Sequence, residues 1–176
     1  MVWLNLEPLP ENGNLQLPKY ANKFAAGVDF SACLTRLCKL VKEDGKKIGF
    51  YTDASGGRDG STGNESSELH LSPNEIVMVS LGFKCEFNDG HVMQIHVRSS
   101  MGLRNLVLAN GTGIIDSDYR GEMYACVFNR GKEKLVISHG QKIVQGVILP
   151  CYQAAIQESS VTDTERGDGG FGSTGK

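Results

Sequence analysis

The sequence predicts a single all-β domain, built as a sandwich or barrel with little helix. Short runs rich in β-branched and aromatic residues alternate with clusters of Gly, Asn, Asp and Pro, a pattern typical of strands joined by turns. This pattern differs from the regular alternation of strands and helices in βαβ units. A length of 176 residues is sufficient for one compact core.

The strands and turns follow from these runs. Six strand regions are predicted, at residues 27–34, 75–87, 91–98, 123–129, 134–138 and 142–152. The tripeptides Asn88-Asp89-Gly90 and Asn129-Arg130-Gly131 predict hairpin turns. A helical turn is expected at residues 100–105.

Two stretches depart from the strand pattern. Residues 41–67 are rich in Gly, Ser, Lys and Asp, which predicts a long mobile loop. Residues 153–165 are polar and acidic and lead into a glycine-rich segment. We therefore expect a β domain over residues 1–152 and a linker with a C-terminal arm over residues 153–176. Fully extended, the linker would span about 40 Å, so the arm could act away from its own strands.

Composition excludes several classes of protein. A net charge of −2 with 22% charged residues argues against disorder and against the basic surface of a nucleic-acid-binding protein. The apolar stretches are too short to cross a bilayer, and the first residues lack the features of a secretory signal. The five cysteines form no Cys-x-x-Cys pair, which predicts reduced thiols rather than disulfides or a zinc site.

The run Gly-Ile-Ile-Asp-Ser-Asp-Tyr-Arg-Gly at residues 113–121 carries the strongest chemical signal. In an extended strand Asp116 and Asp118 would point to the same face with Cα atoms about 6.5 Å apart. Ionised carboxylates at that spacing repel, so a cation or a dipolar substrate would stabilise them. Taken alone, the run fits a catalytic site and a polar strand end equally well.

Polar groups in other segments have two interpretations each. Arg98, Ser99 and Ser100 combine a cation with hydroxyls at a strand exit, which suits an anion or a structural arginine. Asp29 and Gln145 lie in apolar runs, where a polar side chain needs a partner or a function.

The C-terminal segment at residues 166–175 is similarly ambiguous. Its glycines free backbone N–H groups, Arg166 could form a bidentate contact with phosphate, and Phe171 could stack on a base. A flexible terminus has the same composition, and the segment alone favours that simpler interpretation.

Together these five segments, in this order, resemble the five signature motifs of the homotrimeric dUTP pyrophosphatases (dUTPases). They run from Ala25 to the C-terminal end. The resemblance implies a jelly-roll-like antiparallel β subunit, a homotrimer with shared active sites, Mg²⁺ dependence, and hydrolysis of dUTP to dUMP and pyrophosphate. It also implies an intracellular enzyme, cytoplasmic or nuclear, that excludes uracil from DNA and supplies dUMP for dTMP synthesis. No membrane association and no direct nucleic-acid binding are expected.

The resemblance also implies residue roles. Asp116 matches the general base that activates water for attack on the α-phosphorus, and Asp29 matches the carboxylate that holds the water shell of the metal. Tyr119 matches the residue that packs on deoxyribose and leaves no room for a ribose 2′-hydroxyl. Asn110 and the backbone around Gly113 fall in the hairpin that reads the uracil edge.

The remaining matched positions contact the substrate. Those on the β domain are Arg98, Ser99, Ser100 and Gln145. Those on the arm are Arg166, Phe171, Gly172, Ser173 and Thr174, with arginine and hydroxyls on the γ-phosphate and the ring over uracil.

Three departures from the family pattern stand out. Ser100 replaces a frequent glycine, Val97 replaces a frequent proline, and the stretch at residues 41–67 is longer than usual. None of them removes a catalytic group. A tolerated surface loop is the expected explanation of the long stretch, because insertions of this kind cost little free energy.

Alternative functions remain open at this point. A related dCTP deaminase shares the Arg-Ser-Ser element, but its catalytic glutamate would fall near Cys126, which disfavours deamination. A regulatory module acting through residues 41–67 would retain the fold. A lectin or coat protein would leave the arm and the paired carboxylates unexplained.

Overall fold

The computed structural model describes residues 1–58, 63–64 and 66–170, and nearly all of its regular structure is β. The strands are β1 (Leu4–Pro8), β2 (Val28–Ser31), β3 (Cys38–Val41), β4 (Lys47–Phe50), β5 (Glu68–Leu71), β6 (Ile76–Ser80), β7 (Phe83–Phe87), β8 (His91–Val97), β9 (Leu106–Leu108), β10 (Gly113–Asp116), β11 (Tyr124–Asn129), β12 (Leu135–Ser138) and β13 (Lys142–Pro150). A four-residue helix, α1 (Ser99–Gly102), overlaps the expected helical turn. The predicted all-β class is confirmed, and each predicted strand region contains at least one strand.

Two antiparallel sheets form the body of the domain. One has the strand order β10-β8-β13-β2 and the other β4-β3-β6-β11-β9, with the pairs β1-β7 and β12-β5 completing the architecture. Buried and less buried residues alternate along β6 and β11, so each strand turns one face to the interior. Side chains from both sheets, including Phe30, Ile95, Val77 and Val127, belong to one hydrophobic core. This is the arrangement of a jelly-roll-like sandwich.

Both hairpin predictions are wrong. β7 pairs with β1, whereas β8 pairs with β10 and β13, so the turn at Asn88-Asp89-Gly90 carries the chain between sheets. Likewise β11 pairs with β6 and β9, whereas β12 pairs with β5. A turn tripeptide specifies a local reversal, but the burial of one face of each strand decides which strands pair.

Residues 41–67 contain more regular structure than predicted. β4 (Lys47–Phe50) pairs with β3, so the loop prediction is wrong for residues 47–50. The sequence signal was weak because three of these four residues are exposed on an edge strand. Beyond β4, the Asp53 carboxylate accepts hydrogen bonds from the backbone N–H groups of Ser55 and Gly57, each at 2.8 Å. Arg58 forms an ion pair with Glu75 and so ties this stretch to the body.

The five cysteines are free thiols, and Cys33, Cys38 and Cys85 are buried. Burial raises the pKa of the Cys38 thiol to about 12 and that of Cys85 to about 11, so both are protonated at neutral pH. Within the described part of the chain, no helix has the length and apolarity needed to cross a membrane.

Candidate active site

Asp116 ends strand β10 and presents an exposed carboxylate. The antiparallel pairing with β8 sets Asp116 opposite Val92. Among the described residues, nothing donates a hydrogen bond to this carboxylate or forms an ion pair with it. Together with Asp118 it lines a cavity of about 650 Å³ that also borders His91 and Tyr152. An unpaired carboxylate at the edge of an open cavity is free to take a proton from bound water.

Asp118 does not lie on the strand. β10 ends at Asp116, and the Tyr119 N–H donates to the Asp116 carbonyl at 3.1 Å, which closes a turn that contains Asp118. The prediction that both carboxylates share one strand face is therefore wrong, because the chain reverses where that geometry requires it to stay extended. Both side chains nevertheless border the same cavity.

Tyr119 lies over the backbone that follows it. Its hydroxyl donates to the Glu122 carbonyl at 2.9 Å. A Cβ atom added at Gly121 would lie 2.4 Å from the Tyr119 hydroxyl oxygen, so glycine is needed beneath the ring. The residue is 43% exposed, which leaves ring surface available to a ligand beside Asp116.

Asn110 occupies a tight turn between β9 and β10. The Thr112 N–H donates to the Asn110 carbonyl at 2.8 Å, and Gly111 adopts a left-handed conformation with φ of +71°. Gly113 then opens β10 opposite Ile95, where an added Cβ would lie 3.0 Å from the Ile95 Cβ. The turn thus places the exposed amide side chain of Asn110 three residues before Gly113, where β10 begins.

Asp29 lies at the centre of a second group of charges. Its carboxylate is only 8% exposed, and it pairs with the Arg98 Nε at 2.9 Å and the Lys142 Nζ at 3.1 Å. Of the two interpretations of Arg98, an anion site or a structural arginine, the pairing within one chain is with a carboxylate, that of Asp29. Lys142 was not predicted as a site residue, although its position in the same segment as Gln145 could have indicated it.

Gln145 belongs to this second group through the sheet register. On β13 it lies opposite Asp29 of β2 and His96 of β8. A Cβ atom added at Gly27 would lie 2.9 Å from the Gln145 Oε1, so the glutamine side chain lies directly against this glycine. The first and fourth motif segments are therefore neighbours across two strands.

Ser99 and Ser100 open helix α1 and are exposed. The helix begins at Arg98, whose carbonyl accepts the N–H groups of Met101 and Gly102 at 2.9 Å each. The buried Met101 anchors the short helix. Both serines thus follow Arg98 directly on an anchored turn of helix.

The two groups lie far apart within one chain. Asp116 is opposite Val92, and Arg98 follows Val92 by six residues along β8, a separation of about 20 Å. Arg98 also points to Asp29 on β2, at the opposite edge of the sheet from β10. The Asp116 and Asp29 groups therefore occupy separate parts of the surface of one chain.

The described part of the C-terminal tail runs free of the β domain. Residues 151–168 are exposed, and beyond Cys151 their described hydrogen bonds are local, including the Arg166 Nε to the Gly169 carbonyl at 2.8 Å. The other predicted arm residues, Phe171, Gly172, Ser173 and Thr174, lie outside the described residues.

The donor set around Asp29 fits a metal held indirectly. Within the described ranges, no cluster of three or more His, Cys, Asp or Glu side chains could hold a metal ion alone. Both Asp29 oxygens already accept from cations. Since Mg²⁺ readily keeps its waters, a carboxylate so engaged fits contact with a hydrated ion, whose direct ligands would be substrate phosphates.

Comparisons with known proteins identify the family of this chain. The dUTPase family model matches residues 64–175. A deoxyuridine 5′-triphosphate nucleotidohydrolase of Rhizobium rhizogenes is 36% identical over 174 residues, covering 98% of this chain and 93% of the relative. The solved dUTPase of Staphylococcus bacteriophage 80alpha is similar with a TM-score of 0.70 at 20% identity, covering 99% of both chains. The dUTPase of Streptococcus mutans is similar with a TM-score of 0.59 at 26% identity, covering 85% of this chain and 98% of the other. The chain therefore belongs to the dUTPase family.

Proposed function

We propose that this protein hydrolyses dUTP to dUMP and pyrophosphate, with Asp116 as the general base. The observation that carries the proposal is the exposed Asp116 carboxylate at a strand end, three residues before the exposed ring of Tyr119. Asp116 takes a proton from water as the water oxygen bonds to the α-phosphorus. The bond from the α-phosphorus to the oxygen that bridges to the β-phosphorus breaks, and pyrophosphate leaves with that oxygen.

The Asp29 group provides the phosphate side of the reaction. A triphosphate carries about four negative charges, and their neutralisation favours attack by an oxygen nucleophile. Arg98 and Lys142 are 33% and 47% exposed at the side chain, so each has solvent-facing surface for phosphate while it remains near Asp29. Ser99, Ser100 and Gln145 add hydrogen-bonding groups around these cations.

We further propose that Mg²⁺ accompanies the nucleotide. When bound, it would neutralise phosphate charge and fix the triphosphate conformation. Asp29 is the residue that would hold it, through its water shell. Because Asp29 is fixed by two cations, it presents its carboxylate in one orientation to those waters.

We assign selection of the base and of the sugar to residues near Asp116. We assign uracil recognition to Asn110 and the Gly113 backbone, whose turn is fixed by the left-handed Gly111. Tyr119 would pack on the deoxyribose, and a ribose 2′-hydroxyl would collide with its ring. Phe171 of the arm would cover the base, and Arg166, Gly172, Ser173 and Thr174 would close on the γ-phosphate.

The active enzyme is proposed to be a homotrimer with shared sites. The separation of about 20 Å between the Asp116 and Arg98 backbones along β8 supports this, because contributions from two chains would bring the two groups to one nucleotide without spanning that distance. The tail supports it further, since Tyr152, Ile156 and Val161 are at least 93% exposed on the single chain. Apolar side chains so exposed are expected to pack on a neighbouring subunit.

Such an enzyme would act inside the cell, where it would keep uracil out of DNA and supply dUMP for dTMP synthesis. Deamination of dCTP is the weaker alternative. It would need a base near Cys126, and burial raises the pKa of that thiol, so it stays protonated and neutral.

Pyrophosphate release from dUTP, dTTP, UTP and dCTP with Mg²⁺ tests the activity. We expect a strong preference for dUTP, and equal rates on all four nucleotides would contradict the proposal. Ammonia release from dCTP would instead support the deaminase.

Subunit mixing tests the shared site. Asp116→Asn and Arg98→Ala should each be inactive alone, whereas random mixed trimers should recover about a quarter of the wild-type activity. The fraction follows because each site needs an intact Asp116 from one chain and an intact Arg98 from another. Absence of recovery in mixtures shown to exchange subunits would place both residues in one chain's site.

A further inference from the structure

A partly buried ion pair lies directly behind Tyr119. Glu122, whose carbonyl accepts the Tyr119 hydroxyl, pairs through its side chain with Arg36. The contact is bidentate, with Arg36 Nε to Oε1 at 2.8 Å and an Arg36 terminal nitrogen to Oε2 at 3.2 Å. The two residues are 86 positions apart in the chain, so the pair joins the Tyr119 turn to the segment after β2.

Several other groups hold Glu122 in place. The Ser80 hydroxyl donates to the same carboxylate, and Tyr124 also hydrogen-bonds to it. Arg36 is itself fixed by a bond from its guanidinium to the Pro10 carbonyl at 2.6 Å. Desolvation raises the pKa of Glu122, but the hydrogen bonds from Arg36, Ser80 and Tyr124 outweigh it and hold the pKa below its usual value. The carboxylate is therefore ionised at neutral pH.

The backbone on the other side of Glu122 is equally constrained. Met123 is buried, and its N–H donates to the Phe83 carbonyl while its carbonyl accepts the Leu81 N–H, both at 2.9 Å. The peptide beneath Tyr119 is thus fixed by strand pairing on one side and by the Glu122 side chain on the other. The side-chain tether runs to Arg36, in the segment between β2 and β3.

We propose that Arg36, acting through Glu122, positions Tyr119 and thereby sets the discrimination between deoxyribose and ribose substrates. The inference rests on the proposed hydrolysis of dUTP. Arg36 is a positioning residue and contacts no reacting atom. Discrimination by exclusion needs the ring held in place, because a ring that yields by a fraction of an ångström admits a 2′-hydroxyl.

The geometry explains why we expect this ion pair to hold the Glu122 peptide more firmly than an exposed ion pair would. Exposed pairs contribute little, because long side chains lose entropy and water screens the charges. Here the side chains of Arg36 and Glu122 are only 23% and 18% exposed, and the contact is bidentate with further hydrogen bonds to the same carboxylate. Loss of Arg36 leaves a half-buried carboxylate that must reorient toward water, and its peptide would move with it.

The test is the ratio of kcat/KM for dUTP to kcat/KM for UTP. In Arg36→Ala we expect this ratio to fall about tenfold, through slower dUTP turnover and relatively faster UTP turnover. Arg36→Lys keeps the charge without the fork and should give an intermediate ratio. Ser80→Ala removes one hydrogen bond and keeps the ion pair, so it should lower the ratio less than Arg36→Ala.

Arg58→Ala is the matched control. Arg58 also forms a bidentate, partly buried pair, with Glu75, but in the stretch after β4 and away from Tyr119. It should lower thermal stability about as much as Arg36→Ala while leaving the substrate ratio at the wild-type value. If the ratio falls equally in both variants, general destabilisation explains the effect and the inference is overturned.

A double-mutant cycle tests whether the effect passes through Tyr119. Tyr119→Phe removes the hydroxyl bond to the Glu122 carbonyl, so Arg36→Ala should then change the ratio less than about threefold. An undiminished tenfold effect in that background would overturn the inference. Wild-type protein that leaves dUTP intact would refute the proposed function instead, whereas a dUTP-selective wild type with an unchanged ratio in folded Arg36→Ala refutes only the role of Arg36.

Discussion

Asp29 and Asp116 are carboxylates on the same four-stranded sheet, but their surroundings are opposite. Asp29 is 8% exposed and holds two cations, whereas Asp116 is exposed and has no ion-pair partner among the described residues. The first environment holds a carboxylate immobile between two cations, which suits the ordering of phosphates and metal-bound water in the proposed reaction. The second leaves a carboxylate open to solvent and to the cavity that it lines. The same side-chain chemistry thus meets two different environments because the packing differs, and the roles proposed for the two residues differ accordingly.

The largest effect is expected at Asp116. Replacement by asparagine should lower kcat by about 10³-fold, because the amide cannot take the proton from water. Unfolding temperature should stay near the wild-type value, since no described contact to the side chain is lost. Steady-state pyrophosphate release and a thermal melt provide the two measurements.

Asp118→Asn is the control for that experiment, since Asp118 borders the same cavity. It should lower kcat by less than about tenfold. Comparable losses in the two variants would mean that the carboxylates act as a pair and that the general base is not assigned to one residue.

Removal of the end of the tail is expected to have the next largest effect on activity. A chain ending at Glu165 should lose about 100-fold in kcat/KM for dUTP, because phosphate contacts and closure over the base are both removed. The melting temperature should change little, since the described hydrogen bonds of the tail are local. Full activity in the shortened protein would show that the β domain completes the site alone.

Asp29 should affect stability as well as activity. Asp29→Ala leaves Arg98 and Lys142 without their shared partner, and we expect a loss of about 2 kcal/mol in the free energy of unfolding, measured in urea. The value lies below that of a fully buried pair because both cations are partly exposed. Glu7→Gln, which removes the exposed pair with Lys84, should cost less than about 0.5 kcal/mol and serves as the reference.

A smaller, pH-dependent effect is expected at Glu122. Its pKa is lower in the folded protein than its usual value of 4.5, so its stabilising contribution is present above that pH and disappears as pH falls through the folded-state pKa. Glu122→Gln cannot titrate and should flatten the decline of unfolding free energy below pH 4.5. Parallel wild-type and variant curves in acid would contradict the network around this carboxylate.

Local pattern was enough to identify the family of this chain but not its strand partners. The runs that contain Asp29, Arg98 and Gln145 were assigned as strands, and their order matched the family motifs. The turns at residues 88–90 and 129–131 were assigned as hairpins, although Asn129 has a different role. Its buried amide donates to the carbonyls of Leu71 and Glu133, contacts that no local pattern reveals.

The site residues that were missed depend on contacts distant in sequence. Lys142 reaches Asp29 across 113 positions, and Arg36 reaches Glu122 across 86. Lys142 at least shares a segment with Gln145, whereas Arg36 lies outside every motif segment, and a charge becomes informative only when its partner is known. The position of Asp118 also depends on structure that the local pattern does not reveal. The strand ends at Asp116 and a turn follows, so Asp118 does not continue the strand face.

The extended tail has a consequence for how tightly its contacts need to bind. Because residues 153–165 tether the arm to the body, its proposed engagement would be a unimolecular step with an effective concentration on the order of millimolar. Individually weak contacts are therefore sufficient to close the site. The same weak contacts would let the arm detach once dUTP has been hydrolysed, so rapid product release is compatible with close coverage of the substrate.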